Sequence, residues 1–356
     1  MSFKIYKIKS LRKFLPVLPF RQAGLIAGMT LAILFSPQIP ARLRLFCPIS
    51  SFRRAGGKDY AIPSRTPFPQ SVSLSHYQSL FSHLEQAGFQ FEDIQELFQD
   101  PRIEYYDDIA VSLYKPPTMD NYSSIYFHTD NETYEIDEFI DRYGEQLKEA
   151  EQRYGVDLEA IVAVLFVETK IGKIVGKYSV FNILSSLAVA DSPESLAKIE
   201  NHVNEHYHYL NYDKRRGLIN IYQERAIRKS FRARAEFTSL LQLHFDSHID
   251  ILELPGSYAG AFGYPQFMPS NVTRYGIDGD KDGKIDLYNF TDAIMSVGNF
   301  LSKKGWTKDT DRQQRALLRY NNSRAYVAYV LETANSIRKD MDVIDQTDLL
   351  LYSSEE

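Results

Sequence analysis

The chain has a single cysteine, Cys47, among its 356 residues. A disulfide within the chain and any zinc site built from several cysteines are therefore excluded. Positive charge is not in excess either: 41 Lys and Arg stand against 46 Asp and Glu, so no nucleic-acid partner is expected. Tryptophan occurs once, while 24 Tyr and 22 Phe carry the aromatic content. Tyr joins an apolar ring to a polar tip, which suits either a Tyr-rich core or stacking on sugars. Internal repeats and low-complexity tracts are absent, and no acidic residue precedes Asp59.

In that acid-free start, Lys4, Lys7, Lys9, Arg12, Lys13 and Arg21 precede the apolar run AGLIAGMTLAILF, Ala23–Phe35. As a helix this run reaches only ~20 Å, short of the ~30 Å hydrocarbon core, and it fits the apolar region of a signal peptide. No charge occurs from Gln22 to Ala41, so a retained anchor within residues 1–41 is the alternative, weakened by Pro37 and Pro40. Either way the expectation is export to the cell envelope, on its periplasmic side. Cys47 follows the bulky Phe46, a poor context for lipidation. Residues 42–75, rich in Ser, Pro, Gly and Arg, read as a flexible tether.

From His76 the spacing of apolar residues becomes helical, which predicts a mainly α protein: an accessory helical part over about 76–150, a core over about 151–340 and a tail over 341–356. More alternating segments predict a small β element near 108–135. Residues 191–230 carry Lys214, Arg215, Arg216, Arg225, Arg228 and Lys229, and read as a helical insertion with a solvated face or a face for glycan, partner or membrane.

Three segments carry chemistry. In DLEAIVAVLFVETKIG, with Asp157 as N-cap, Leu158, Ile161, Val164, Leu165 and Glu168 share one stripe and Lys170 lies opposite. Glu168 is thus aimed inward near the negative end of its helix, where lost hydration raises a carboxyl pKa and suits it to donate a proton. A buried Glu paired with Arg234 or Arg274 is the alternative. The stretch GSYAGAFGYPQFMPS, Gly256–Ser270, has no charge at all, too irregular for a helix or strand and too apolar for a solvent loop. In DGDKDGKIDLYNFTD, Asp278, Asp280 and Asp282 take the first, third and fifth positions of an EF-hand-like calcium loop. Gly283 supplies its turn, Lys284 a backbone carbonyl and Asp286 the ninth position, but Asn289 stands at the twelfth. An ordinary acidic turn is the alternative. HVNEH, His202–His206, matches a zinc-peptidase pattern but offers no assignable third ligand.

Read together, Glu168–Gly172, Gly176–Val180, Gly256–Ser270, Asp278–Asp292 and Tyr320–Ser323 resemble, in order, the motifs of the lytic murein transglycosylase B family, over roughly residues 85–335. The resemblance implies a lysozyme-like core, no catalytic cofactor, a structural calcium ion and peptidoglycan glycan strands as partner. It implies cleavage of the β-1,4 bond between N-acetylmuramic acid and N-acetylglucosamine with 1,6-anhydro ends, by Glu168 as sole acid and base. Hydrolytic muramidase action and non-catalytic peptidoglycan binding are the other readings of the same fold. Ser257 and Gln266 match polar cleft residues, and Tyr320, Asn321 and Tyr326 match the opposite wall. Tyr258, Tyr264 and Phe267, with Phe262, are expected to supply apolar walls, and Gly256, Gly260 and Gly263 to let backbone approach a sugar. Asp292 is implied as the distal metal ligand. Two positions depart from the family: Asn271 stands where a serine is usual, and Phe300 where a cleft tyrosine is frequent.

Overall fold

The computed structural model describes residues 74–107, 109–112, 130–247 and 249–353. The expected leader and nearly all of the tether lie outside these residues. A 3-10 turn, Leu74–Tyr77, leads into α1, Gln78–Gln86, and α2, Phe91–Phe98. A one-turn α3, Ile109–Ser112, precedes the long α4, Asp130–Tyr154. The described parts of 108–135 are therefore helical, and the β element expected there is not seen in them. The strands lie elsewhere: β1, Tyr178–Ser179, follows α5, Leu158–Thr169, and pairs antiparallel with β2, Pro255–Gly256. Between them run α6, Val180–Ala188, α7, Pro193–His206, and α8, Tyr212–Ser247. After β2 come α9, Pro269–Tyr275, α10, Phe290–Lys303, α11, Thr310–Tyr320, and α12, Arg324–Ser353. Since α12 passes residue 340 unbroken, the tail does not begin where the sequence pattern puts it.

The fold is organised around α5. Every residue of this helix except Glu159 is buried, and it packs against α4, α10 and α12. The single apolar stripe drawn from the sequence is therefore corrected: neighbours surround the helix, as its uniformly apolar composition requires. Truncating Leu165, fully buried here, to Ala costs roughly 2–5 kcal/mol by this logic. Asp157 does hold the N-cap position, but its side chain makes no cap hydrogen bond. The Trp306 indole N–H donates to it instead, at 3.1 Å, while the Leu158 N–H donates to Glu151.

A second, smaller core lies between α7 and the first half of α8, made of Ala190, Ile199, Val203, Ile219, Tyr222 and Ala226. The second half of α8 joins the main core through Phe237, Leu240 and Leu241. Arg234 on α8 ties this helix to the end of α6 and the turn after it, donating to both Asp191 oxygens, at 2.7 and 2.9 Å, and to the Ala188 carbonyl. The insertion is thus a helical arm continuous with a core helix.

Candidate active site

Glu168 sits in the last turn of α5 with 9% of its surface exposed. Burial pushes its carboxyl up to about 8, and the Tyr326 hydroxyl beside it pulls the other way. Tyr320 is its other close neighbour: burial, and then the charge of Glu168, hold that phenol well above the usual tyrosine range. The Tyr320 hydroxyl donates to the Pro265 carbonyl at 2.5 Å, and its ring stacks on Tyr326. Among the described residues, no cation is among the causes of the Glu168 shift. Arg234 is committed to Asp191 and the Ala188 carbonyl, Arg274 is exposed on α9, and Lys170 pairs with Glu132 on α4 at 2.9 Å. The buried ion pair considered for Glu168 is therefore not formed.

The end of α5 is tied to the charge-free loop by Thr169. Its hydroxyl lies 3.0 Å from the Tyr264 carbonyl and accepts the Gly172 N–H, also at 3.0 Å. Lys170, Ile171 and Gly172 all have positive φ, at 51°, 53° and 79°. For a β-branched residue such as Ile171 this is an uncommon, strained conformation, held here by the contacts around it. Sequence reading assigned Thr169 no role. Its only signal was its place beside Glu168 in the ETKIG stretch.

Within the loop, Phe262 and Phe267 exchange backbone hydrogen bonds at 2.9 and 3.0 Å, and the Tyr264 N–H donates to the Leu287 carbonyl. Ser257 turns its hydroxyl back on the loop, accepting from Ala259 and Ala261 N–H groups. Gln266 spends its amide N–H groups on the Val175 and Gly263 carbonyls, at 3.2 and 2.9 Å. What Gln266 can offer a ligand is therefore its carbonyl oxygen. The role expected for the glycines is corrected too. A Cβ on Gly263 would meet Leu287 at 2.3 Å, on Gly256 the Ala261 carbonyl at 2.5 Å, and on Gly260 the Leu184 side chain at 2.5 Å. These glycines let protein approach protein, not sugar.

The walls differ from the expectation in two residues, Phe267 and Phe262. Phe267 is 1% exposed and packs against Phe300 and Tyr320, so it supports the site from behind and cannot touch a sugar. Phe262 is likewise buried. Phe300, at the position where a cleft tyrosine was considered, is buried and packs on Tyr275 and Tyr320. Tyr264 is half-buried, stacked on Phe290 at 4.0 Å, and Tyr258 is half-buried. Asn321 is buried directly after Tyr320.

The Asp278–Asp292 stretch gathers carboxylates. Oxygens of Asp278, Asp280 and Asp292 all lie within 4.8 Å of one another. Buried Asp292 accepts the Gly279, Asp280 and Asp286 N–H groups. Burial nevertheless leaves its carboxyl raised. Three carboxylates converging on one point repel one another, and hard oxygen donors of this kind suit calcium. Asp282 and Asp286 stand outside this trio, capping the Lys284 and Tyr288 N–H groups at 2.8 Å each. Asn289 donates to Asp280 and caps α10.

The zinc pattern does not assemble. His202 and His206 stack on each other at 4.1 Å, and no third ligand joins them among the described residues.

A family model described as Transglycosylase SLT domain matches residues 74–316. The chain belongs to this family. It is also 30% identical over 232 residues to membrane-bound lytic murein transglycosylase B of Escherichia coli (strain K12), a match covering 62% of this chain. The chain spans about half of that relative's length, 54%. Its transglycosylase fold resembles that of soluble lytic transglycosylase SltB1 from Pseudomonas aeruginosa, with a TM-score of 0.58 at 23% identity. That likeness covers 74% of this chain and 99% of the other. The Escherichia coli lytic transglycosylase Slt35 in complex with calcium is similar with a TM-score of 0.56 at 22% identity, over 74% of this chain and 93% of the other. The lysozyme-like, mainly α architecture implied by the motifs of this transglycosylase-family chain is thereby established.

Proposed function

We propose that the chain is a lytic transglycosylase that cleaves the β-1,4 bond between N-acetylmuramic acid and N-acetylglucosamine in peptidoglycan glycan strands. The observation that carries this reading is the state of Glu168: a lone carboxyl kept protonated by burial beside two tyrosines, with no acidic neighbour among the groups that set its pKa. Ordinary glycosidases need two carboxyl groups, the second acting as nucleophile or as base for water. Gly176–Val180, Ser257–Met268 and Tyr320–Ser323 contain neither Asp nor Glu.

In this scheme Glu168 donates its proton to the bridging oxygen, and the N-acetylglucosamine side leaves. The muramic acetamido group stabilises the charge at C1. The Glu168 carboxylate then takes the proton of the C6 hydroxyl, whose oxygen bonds to C1. No water is consumed and Glu168 ends protonated. The internal hydroxyl has a high effective molarity against water in an apolar cleft. We assign Tyr258, Tyr264, Gln266, Ser257, Tyr320, Asn321 and Tyr326 to the cleft around the glycan.

Asp278, Asp280 and Asp292 would hold a structural calcium ion, with Asp282, the Lys284 carbonyl and Asp286 completing it. Such an ion would pin the chain between the charge-free loop and α10. Placement in the cell envelope, exported and either anchored or released, is the accompanying reading of the N-terminal run, and the name of the membrane-bound relative supports it.

Digestion of purified peptidoglycan in ¹⁸O-labelled water tests the reaction. Unlabelled 1,6-anhydro ends are expected. Labelled reducing ends as the main first product would make the protein a muramidase, and intact glycan a binding protein.

A further inference from the structure

Tyr209 and Tyr212 are 70% and 66% exposed at the tip of the α7–α8 arm, and Phe231 is 63% exposed further along α8. Ile221 and Ile227 are exposed between them. Of nine large hydrophobic side chains exposed among the described residues, five fall within this one stretch. The same stretch carries Lys214, Arg215, Arg216, Arg225, Arg228, Lys229 and Arg232 against only Asp213 and Glu224, in a chain of net charge −5.

The two sets share a face. At 3.6 residues per turn, Lys214, Ile221, Arg228, Phe231 and Arg232 fall within an arc of about 100°. This face lies opposite Ile219, Tyr222 and Ala226, which pack into the smaller core. Two acids project onto that face: Asp213 at its edge, in line with Phe231, and Glu224, which is taken by Arg228 at 3.4 Å. Arg215 holds the tip, donating to the His208 and Leu210 carbonyls. Burial, and then Arg225 and Arg232, push the Lys229 ammonium down to about 8.

We propose that the outward face of α8 from Lys214 to Arg232, with Tyr209 and Tyr212 at the tip, docks on an anionic phospholipid surface. A helix lying in a membrane interface needs apolar side chains for the acyl boundary and cations for the headgroup phosphates, interleaved on one face. A polyanion in solution would use the arginines but leave Ile221, Ile227 and Phe231 in water. A glycan strand would use the tyrosines but not the aliphatic residues. The apolar N-terminal run, an export signal or a retained anchor, would in either case bring the chain to a membrane.

The test uses the full chain in a Cys47→Ser background, with an environment-sensitive fluorophore on Asn220→Cys in the arm or, as control, on Thr310→Cys at the start of α11. Phosphatidylglycerol vesicles should at least double and blue-shift the Asn220→Cys signal, phosphatidylcholine vesicles should not, and Thr310→Cys should stay unchanged. Lys214→Glu with Arg228→Glu should weaken that response by roughly tenfold or more, at about fivefold per charge near such a surface. Equal responses at the two positions, or to the two lipids, would overturn the proposal. So would a response of Asn220→Cys to solubilised glycan or to protein concentration without vesicles, which would make the arm a glycan site or a contact between copies. The readout is independent of catalytic activity.

Discussion

The end of α5 and the Asp278–Asp292 loop treat the same functional group in opposite ways. Glu168 stands among aromatic rings with a single hydroxyl to answer it, and keeps its proton near neutral pH. Asp278, Asp280 and Asp292 crowd together at a partly open turn, each already accepting backbone N–H groups. The carboxyl in the first region is tuned by removing water. In the second, the clustered carboxylates are answered by backbone N–H groups. Burial by itself makes an acid, whereas clustering makes a ligand set.

The strongest way to break the contrast is Glu168→Gln. The amide keeps the shape but cannot cycle a proton, so glycan cleavage should fall by at least ~10², with glycan binding and the fold retained. Cleavage at the wild-type rate would remove Glu168 from the mechanism. The same substitution should reveal the cost of the buried acid. A carboxyl raised from 4.5 to about 8 binds its proton more tightly in the folded than in the unfolded state. Its contribution to stability is therefore full below about 4.5 and is lost as pH rises toward about 8. Glu168→Gln should be more stable than the wild type at pH 8, by on the order of 3 kcal/mol in urea unfolding, and indistinguishable from it near pH 4. Wild-type kcat/KM should decline above pH about 8 as the acid form is lost.

The acidic loop predicts the next largest effect. Calcium at a hundredfold excess over Kd should stabilise the protein by ~2.7 kcal/mol, seen as a rise in Tm. Asp292→Asn should abolish that rise, and Asp282→Asn, outside the converging trio, should only blunt it. A melting curve indifferent to chelator would leave an acidic turn with no ion.

A smaller effect sharpens the first region alone. Thr169→Val removes the hydroxyl that ties α5 to the Tyr264 carbonyl, and a misplaced acid by a fraction of an ångström should cost roughly tenfold in kcat. Thr169→Ser should restore most of it. Equal kcat in Thr169→Val would make the tie dispensable.

Which of these residues could be found without the fold follows from how local their signal is. The spacing of Asp278, Asp280 and Asp282 is itself the geometry of a tight loop, and a lone Glu in an apolar helix is conspicuous wherever the helix ends up. Phe267 shows the limit. Its neighbours Tyr264 and Gln266 look equally suited to a cleft, yet the backbone bonds between Phe262 and Phe267 turn this ring toward Phe300 and Tyr320. The helical projection of α5 failed in the same way, because a projection shows one helix and cannot count the helices around it.

By itself the sequence determined what is carried by spacing along the chain: a mainly helical protein, a charge-free glycine-rich loop, a carboxylate-rich turn and one acid set among aliphatic residues. Only the tertiary structure decided what depends on residues distant in sequence. It placed Tyr320 and Tyr326 beside Glu168, gave Thr169 a partner 95 residues away, and filled the space over the loop glycines with Leu184, Leu287 and the Ala261 carbonyl. The physical reason is that a pKa and a packing contact depend on what surrounds a group in three dimensions, and α5 is enclosed by α4, α10 and α12, elements drawn from both sides of it in the chain.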